Sequence, residues 1–411
     1  MGTFHDLLRA NRSIDIAVDY YGDDDRTCFG RYPRAEKIQQ VAGQTISVPI
    51  SEFLTYSLFV DKRGAIPNLK SYETIRDNLS GYLQQFDDGL RITDRSLCTV
   101  LTGNEQIHRL SEKIGSGVAL SVTNRITGVT EADWDRISVL PHKAFDYMFS
   151  APVIGHLEVE SKGSSVADNR GAKPNAVVQH AADIRGKFRE SKLDAAGHPI
   201  TRYGVIGAID QRPDGVLRSW LVDPPGGALS RSPRDQQIIN RLCFFAEIAE
   251  AIIPDSYLLV DLYKRILALS EAVDISAYNG VPLSGTVDSW TQELYWNQPR
   301  DTEGAFFGTI MTLKDRSLFF YGMRVEWIAA VQRQDFRSIS EFRFPTGAIT
   351  VPVVIPNRYV ERLMEDRRIV ADRARRDLTV DARVQMASSG RVFGLVEEWL
   401  TRRSAHVVRD E

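Results

Sequence analysis

The stretch from Val153 to Gly163, VIGHLEVESKG, decides how the centre of this chain is interpreted, because it has the length of a buried strand but ends in charged residues. Alternate side chains of a strand point to the same face, so Leu157 and Val159 share an apolar face. Glu160 and Lys162 share the opposite face. Charged groups are rarely buried unless they are paired or bound to metal. The stretch therefore predicts a carboxylate and an ammonium group that project together from the end of a strand.

Periodic segments on both sides of this strand predict an α/β core. A helical pattern over 104–126 and a strand at 143–149 precede it, and a helical pattern over 176–192 follows it. Two further strand patterns, at 202–210 and 216–223, are separated by the turn signal RPDG. The order helix, strand, strand, helix, strand, strand favours a mixed sheet with helices packed on it.

The flanking segments carry more scattered patterns. In the N-terminal quarter these are a loop-like segment at 20–36, either two strands or a strand and a helix at 45–60, and an amphipathic helix at 71–86. In the C-terminal half they are two helices at 232–252 and 255–273, a β-hairpin at 304–323 and a charged helix at 357–377. Ser232 followed by Pro233 is the signature of a capped helix start.

Bulk properties indicate an ordinary globular protein. The chain has 411 residues, of which 43% are hydrophobic, and it contains no apolar run of the length that a membrane span needs. Its start lacks an apolar leader, and its three cysteines fit no C-x-x-C pattern, so neither a disulfide framework nor a thiolate zinc site is predicted. We therefore expect a cytoplasmic protein that does not associate with membranes.

Asp146, in the strand pattern before the quoted stretch, supplies a second carboxylate. If the two strands are neighbours, Asp146 and Glu160 converge, with Lys162 beside them. Two carboxylates and a few water molecules make a hard-oxygen site suited to Mg²⁺ or Mn²⁺. Such an ion polarises a phosphoryl oxygen and lowers the pKa of a bound water, and a nearby lysine can orient that water.

The occurrence of an acid-x-Lys triplet is not evidence by itself, since chance alone gives about one in a chain of this composition. The sequence contains two, Glu160-Ser161-Lys162 and Glu190-Ser191-Lys192. The second falls at the end of a helical pattern and is interpreted as solvated surface. Position at a strand end, not the triplet itself, singles out the first.

Asp146, followed fourteen residues later by Glu160-Ser161-Lys162 and then by a helix, resembles the PD-(D/E)XK restriction-endonuclease-like superfamily. The resemblance implies a core of helix, strand, strand, strand, helix, strand, of which one strand is not placed by the sequence. It also implies that Asp146, Glu160 and the Ser161 carbonyl bind the metal ion. Lys162 is then the catalytic lysine.

Two further residues are implied by some branches of this superfamily. Gln179 matches a glutamine on the following helix that faces the site, and Glu112 matches a glutamate on the first helix. The pattern departs from the family in two places: Phe145 stands where proline is frequent, and Asp183 stands where an aromatic residue often follows the helix glutamine.

The resemblance leads to an expected organisation and function. The fold class is α/β, with a restriction-endonuclease-like mixed sheet flanked by helices. Residues 1–103 form an N-terminal accessory region, 104–225 the nuclease-like core, and 226–411 a C-terminal helical region with a β-hairpin. The expected activity is Mg²⁺- or Mn²⁺-dependent hydrolysis of phosphodiester bonds, with DNA as the substrate and restriction or phage defence as the context.

Charge leaves an alternative open. The overall net charge is −3, which favours no nucleic-acid partner, although 162–192 holds seven basic residues against three acidic ones. The alternative is a catalytically inactive binding or scaffold protein with the nuclease fold. A homodimer or a partner protein from a defence system is compatible with either function.

Overall fold

The computed structural model describes residues 4–32, 34–60, 72–100, 104–137, 145–190, 198–223, 227–229, 231–253, 256–284, 306–313, 317–355, 378–396 and 405–407. The helices in these ranges are α1 (Phe4–Arg9), α2 (Asp23–Phe29), α3 (Ala35–Val41), α4 (Ile50–Phe59), α5 (Tyr72–Gly89), α6 (Asn104–Thr127), α7 (Asn175–Glu190), α8 (Pro233–Ile252), α9 (Tyr257–Glu271), α10 (Glu326–Arg333) and α11 (Phe336–Glu341). None of them is both long enough and apolar enough to cross a membrane.

The strands in the same ranges form two large sheets and one short hairpin. They are β1 (Ser13–Tyr20), β2 (Gln44–Pro49), β3 (Leu90–Ile92), β4 (Leu97–Thr99), β5 (Trp134–Arg136), β6 (Tyr147–Ala151), β7 (Gly155–Val166), β8 (His198–Asp210), β9 (Leu217–Val222), β10 (Gly227–Leu229), β11 (Phe306–Thr312), β12 (Leu318–Arg324), β13 (Gly347–Ile355), β14 (Leu378–Met386), β15 (Arg391–Leu395) and β16 (Ala405–Val407).

The first sheet has the order β2-β1-β9-β8-β7-β6-β5, with β10 paired to β8. It is mixed, because β7 runs parallel to β8 and β1 parallel to β9, while the other neighbours are antiparallel. Helix α6 packs on one face, and α7 covers the other through Val177, Ala181 and Ile184. The predicted α/β class, a mixed sheet flanked by helices, is therefore confirmed.

Strand β5 has no counterpart among the strands predicted from the sequence. Thr130 caps a single 3₁₀ turn at Glu131–Asp133, in a reciprocal capping box with Asp133. The chain then extends at once into the three residues of β5. From α6 to β8 the order of helices and strands is thus helix, strand, strand, strand, helix, strand.

The N-terminal region contributes directly to this sheet. Strand β1 pairs in parallel with β9, and β2 forms the sheet edge beyond it, so the boundary predicted at residue 103 lies between strands of one sheet. The segment 20–36, interpreted as a loop, contains α2 and the start of α3, because Phe29 and Ile38 are buried in the core. At 44–59 the strand-and-helix alternative is the one observed.

The C-terminal region contains more strand than the sequence predicts. The β-hairpin is found as β11 and β12, but it belongs to a six-stranded sheet of order β11-β12-β15-β14-β13, with β16 paired to β14. Helix α8 begins as predicted, with the Ser232 hydroxyl accepting a hydrogen bond from Asp235 N at 3.2 Å. The helix predicted at 357–377 lies outside the described residues.

Buried ion pairs tie the two sheets together at the turn before β5. Glu131 meets Arg391 of β15 at 3.0 Å, and Asp133 meets Arg241 of α8 at 2.5 Å. All four side chains are almost completely inaccessible to solvent. The turn therefore anchors the start of the β5–β6 segment to the second sheet and to α8.

Candidate active site

Strand pairing brings Asp146 and Glu160 together. In the antiparallel pair of β6 and β7, Tyr147 lies opposite Val159, so the next pair outward is Asp146 opposite Glu160. Asp146 precedes β6 directly, and its carboxylate Oδ2 accepts a hydrogen bond from the Ser161 backbone N–H at 3.0 Å. The two strands are thus neighbours, and the two carboxylates lie side by side, as the sequence analysis expects.

Lys162 lies beside these carboxylates on the same face of β7. The strand continues to Val166 and does not end at the charged residues as the sequence predicts. Its Nζ is 2.8 Å from Glu160 Oε1. The side chain of Glu160 is fully buried, whereas that of Lys162 is 25% exposed. The three residues that the resemblance implies for catalysis therefore meet at one point, with the lysine on the solvent side.

Lys187, on α7, is a second cation in this cluster and is not among the residues that the sequence analysis assigns to the site. Its Nζ lies 2.6 Å from Glu160 Oε1 and 3.9 Å from Asp146 Oδ1. The ammonium group thus bridges the two carboxylates. We use the term acid–lysine cluster for Asp146, Glu160, Lys162 and Lys187.

The amphipathic pattern of α7 explains why Lys187 reaches the sheet. Val177, Ala181 and Ile184 follow the helical spacing and are buried against it. Lys187 comes three residues after Ile184 and therefore lies on the flank of this buried stripe. That spacing is the signal in the sequence that identifies Lys187.

Close packing on the other face fixes the strand that carries Glu160. The backbone of α6 approaches β7 so closely that a Cβ atom on Gly163 would lie 1.7 Å from Ser111 O. A Cβ atom on Gly115 would in turn lie 2.6 Å from Gly163 Cα. Glycine at both positions allows this approach, which positions β7 on α6.

Burial and mutual repulsion set the ionisation of the cluster. Burial raises the pKa of Glu160, and the charge of Asp146 raises it further, although both lysines oppose the shift. Burial disfavours the charge of Lys162, but Glu160 and Asp146 outweigh it and raise the pKa of the lysine. Lys162 is therefore a stable cation, whereas Glu160 is a carboxylate whose negative charge is incompletely compensated.

The donor atoms fit a hard divalent cation. Glu160 Oε2 is buried and has no hydrogen-bond partner among the described residues, although buried carboxylate oxygens normally have one. The N–H and the carbonyl of one residue in a strand point to the same side. Because the Ser161 N–H points to Asp146, the Ser161 carbonyl also lies on that side of β7. In the part of the chain that the structure describes, no three or more His, Cys, Asp and Glu side chains are grouped for metal binding. Two carboxylates and a carbonyl suit Mg²⁺, which keeps several waters and binds substrate phosphate oxygens.

Gln179 and Glu112 are not brought into the cluster. Gln179 is exposed, and its amide donates to Asp183 Oδ1 at 3.2 Å, because the residue lies away from the buried stripe of α7. Glu112 is also exposed, although its neighbour Ser111 is buried against β7. Gln179 and Glu112 thus lie outside the acid–lysine cluster, whereas Lys187 of α7 lies within it.

In the folded chain, acidic residues from outside the basic segment 162–192 neutralise part of its positive charge. Arg185 pairs with Asp25 of α2 at 2.8 Å, and Arg170 pairs with Asp214 at 2.6 Å. Both acids lie outside the counted segment, so folding adds negative charge to this surface. The acid–lysine cluster pairs two lysines with two carboxylates, so it adds no net positive charge to this surface.

Comparison with known proteins gives no independent assignment. The chain matches no family model, no curated protein and no solved structure. The acid–lysine cluster therefore has to be interpreted from its own geometry and chemistry.

Proposed function

We propose that this chain is a metal-dependent nuclease that hydrolyses phosphodiester bonds, with DNA as the substrate. The observation that carries the proposal is the meeting of Asp146, Glu160 and Lys162 where the pairing of β6 with β7 ends. The order of helices and strands from α6 to β8 also agrees with the core of the PD-(D/E)XK superfamily. Restriction or phage defence in the cytoplasm is the context that this assignment favours.

Individual residues of the acid–lysine cluster have different roles in hydrolysis. Asp146, Glu160 and the Ser161 carbonyl would hold Mg²⁺ or Mn²⁺. When bound, such an ion polarises a phosphoryl oxygen and lowers the pKa of a bound water. The ammonium group of Lys162 lies beside Glu160, where it acts as a hydrogen-bond donor and a fixed charge. It orients the attacking water and stabilises the negative charge that develops on the phosphate in the transition state. Gln179 has no assigned role, since it is exposed.

A second function is favoured by a different observation. Lys187 already supplies a cation between the two carboxylates, and the basic segment is partly neutralised by Asp25 and Asp214. In a protein that retained the nuclease fold only for binding or as a scaffold, we expect the two carboxylates to be neutralised by a lysine in this way. This alternative predicts that the carboxylates bind no divalent ion.

Cleavage assays with matched lysine variants test the proposal. Wild type, Lys162→Ala and Lys264→Ala are incubated with supercoiled DNA, linear duplex, single-stranded DNA and RNA, each with Mg²⁺, Mn²⁺ or chelator. Lys264 is an exposed residue of α9 and serves as the control. We expect wild type and Lys264→Ala to cleave DNA, and Lys162→Ala to be slower by about a hundredfold or more.

If the three proteins have the same melting temperature, a difference in cleavage is not caused by unfolding, and the other outcomes then have a clear meaning. Equal cleavage by Lys162→Ala would place the activity elsewhere in the chain. Cleavage of RNA alone would correct the substrate. No cleavage by wild type, together with no binding of Mn²⁺, would favour the scaffold function.

A further inference from the structure

We propose that Lys187 is a placeholder cation: in the metal-free protein its ammonium group occupies the position between Asp146 and Glu160, and the metal ion binds only when Lys187 withdraws. The inference rests on the proposed metal site and adds a control on how that site is filled. It follows from the geometry of Lys187, not from the resemblance.

The two lysines of the cluster differ in what they contact. Both place Nζ within 2.8 Å of Glu160 Oε1. Among the ion pairs of the described residues, only that of Lys187 extends to Asp146 as well, at 3.9 Å. A metal ion ligated by both carboxylates would need the same position, and two cations cannot share it.

Charge explains why a placeholder is needed in the absence of metal. Asp146 and Glu160 face each other, Glu160 is fully buried, and its Oε2 has no hydrogen-bond partner among the described residues. Two close carboxylates repel, and removing an ionised group from water is costly unless a countercharge accompanies it. Lys187 supplies that countercharge where the pairing of β6 with β7 ends.

The position of Lys187 in the chain allows it to leave. Lys162 is two residues from Glu160 on the same strand, so its ammonium stays near the carboxylate. Lys187 reaches the cluster from the last turn of α7, and 24% of its side chain is exposed. Its flexible four-carbon stem can turn the ammonium toward solvent without any change in the sheet.

Binding of Mn²⁺ to the full chain tests the inference without reference to cleavage. The loss of the free-ion signal in electron paramagnetic resonance gives the Kd for wild type, Lys187→Met, Lys162→Met and Lys264→Met. We expect Lys187→Met to bind Mn²⁺ at least about tenfold more tightly than wild type, since a unit charge in direct competition is removed. Lys162→Met should gain clearly less, and Lys264→Met should be unchanged.

Thermal melting provides the second readout. In chelator, Lys187→Met should melt at a lower temperature than wild type, because the two carboxylates lose their shared countercharge. Saturating Mn²⁺ should remove this difference. Lys187→Gln is the second variant, which keeps a polar group on the helix if Lys187→Met does not fold.

The failures are distinguishable. Equal gains in Mn²⁺ affinity for Lys187→Met and Lys162→Met would show that removal of either positive charge has the same effect. The placeholder role of Lys187 would then be wrong, but the proposed metal site would remain. Unchanged affinity in Lys187→Met would lead to the same conclusion. If neither wild type nor any variant bound Mn²⁺, the proposed function itself would fail, and the inference with it.

Discussion

Two carboxylates that are equally inaccessible to solvent, those of Asp133 and Glu160, have opposite surroundings. Asp133, in the turn before β5, accepts hydrogen bonds at both oxygens. Arg241 donates to Oδ1 at 2.5 Å and to Oδ2 at 3.0 Å, Gln237 donates to Oδ1 at 2.8 Å, and the Thr130 N–H donates to Oδ2 at 2.8 Å. Burial disfavours its charge, but Arg241 and the other donors outweigh burial and lower the pKa of Asp133.

Glu160 has the reverse arrangement. Two ammonium groups meet at its Oε1, no hydrogen-bond partner is found for Oε2 within the described part of the chain, and a second carboxylate lies alongside. Its pKa is raised, first by burial and then by Asp146. The comparison separates two uses of a buried acid: Asp133 is fully satisfied and holds the fold, whereas Glu160 retains unmet coordination capacity, which is typical of a functional site.

The sharpest test of this distinction replaces each acid by its amide. Glu160→Gln keeps the shape of the side chain but removes a metal-binding charge worth several kcal/mol in the transition state. Cleavage should therefore fall by about a thousandfold. The rate of DNA cleavage in Mg²⁺ measures the effect, and an unchanged rate would remove Glu160 from the mechanism.

The matched change at the other acid should act on stability instead. Asp133→Asn leaves Arg241 buried beside a neutral group, and breaking a buried ion pair in this way costs about 3–5 kcal/mol. Denaturant unfolding of wild type, Asp133→Asn and Glu160→Gln gives the three free energies of unfolding. A loss in Glu160→Gln as large as that in Asp133→Asn would show that both acids hold the fold, and the comparison would fail.

Glycine substitutions test how firmly the acid–lysine cluster is held. Gly163→Ala would place a Cβ atom against the backbone of Ser111, so we expect a loss of about 1–3 kcal/mol from overpacking. Gly186→Ala is the matched control, since a Cβ atom there meets nothing within 4 Å and the residue lies inside α7. It should gain about 0.5–1 kcal/mol from helix propensity. Equal melting temperatures for the two variants would contradict the close contact of α6 with β7.

The pH dependence of stability should differ in sign at the two acids, by at most about 1.4 kcal/mol per pH unit for each. The pKa of Asp133 is lowered by folding, so its contribution to stability is present above about pH 4 and is lost as the pH falls through the folded-state pKa. The pKa of Glu160 is raised, so ionisation of this group costs stability as the pH rises above about 4.

Unfolding in chelator at several pH values checks both signs. The difference between wild type and Asp133→Asn should shrink at low pH. Wild type should lose stability relative to Glu160→Gln as the pH rises. Parallel curves for the two variants would show that the acids titrate alike.

Much of the central region is predictable from local pattern. The alternation in VIGHLEVESKG identifies the strand and places Glu160 and Lys162 on one face, and the strand before it supplies Asp146. These features depend on residues that are close in the chain. The three-residue β5 is too short to produce a pattern, so it could be placed only from the structure.

Other features depend on pairings or orientations that local pattern does not carry. The parallel pairing of β1 with β9 places Ile16 opposite Leu217, far apart in the chain. Local sequence patterns do not show a pairing over this distance, so the N-terminal region was predicted as an accessory region. Lys187 is different, because the buried stripe of α7 already points to it. A helical projection would have placed Gln179 on the exposed side and Lys187 beside the sheet.

The pairing of β1 with β9 also bears on synthesis of the chain. Strands β1 and β2 can form their antiparallel pair soon after they leave the ribosome, but the second edge of β1 has no partner until residues 217–222 appear. At about 5–20 residues per second, translation of the 196 residues between β1 and β9 takes roughly 10–40 s. During that time the nascent chain carries an open strand edge, which is able to pair with other chains.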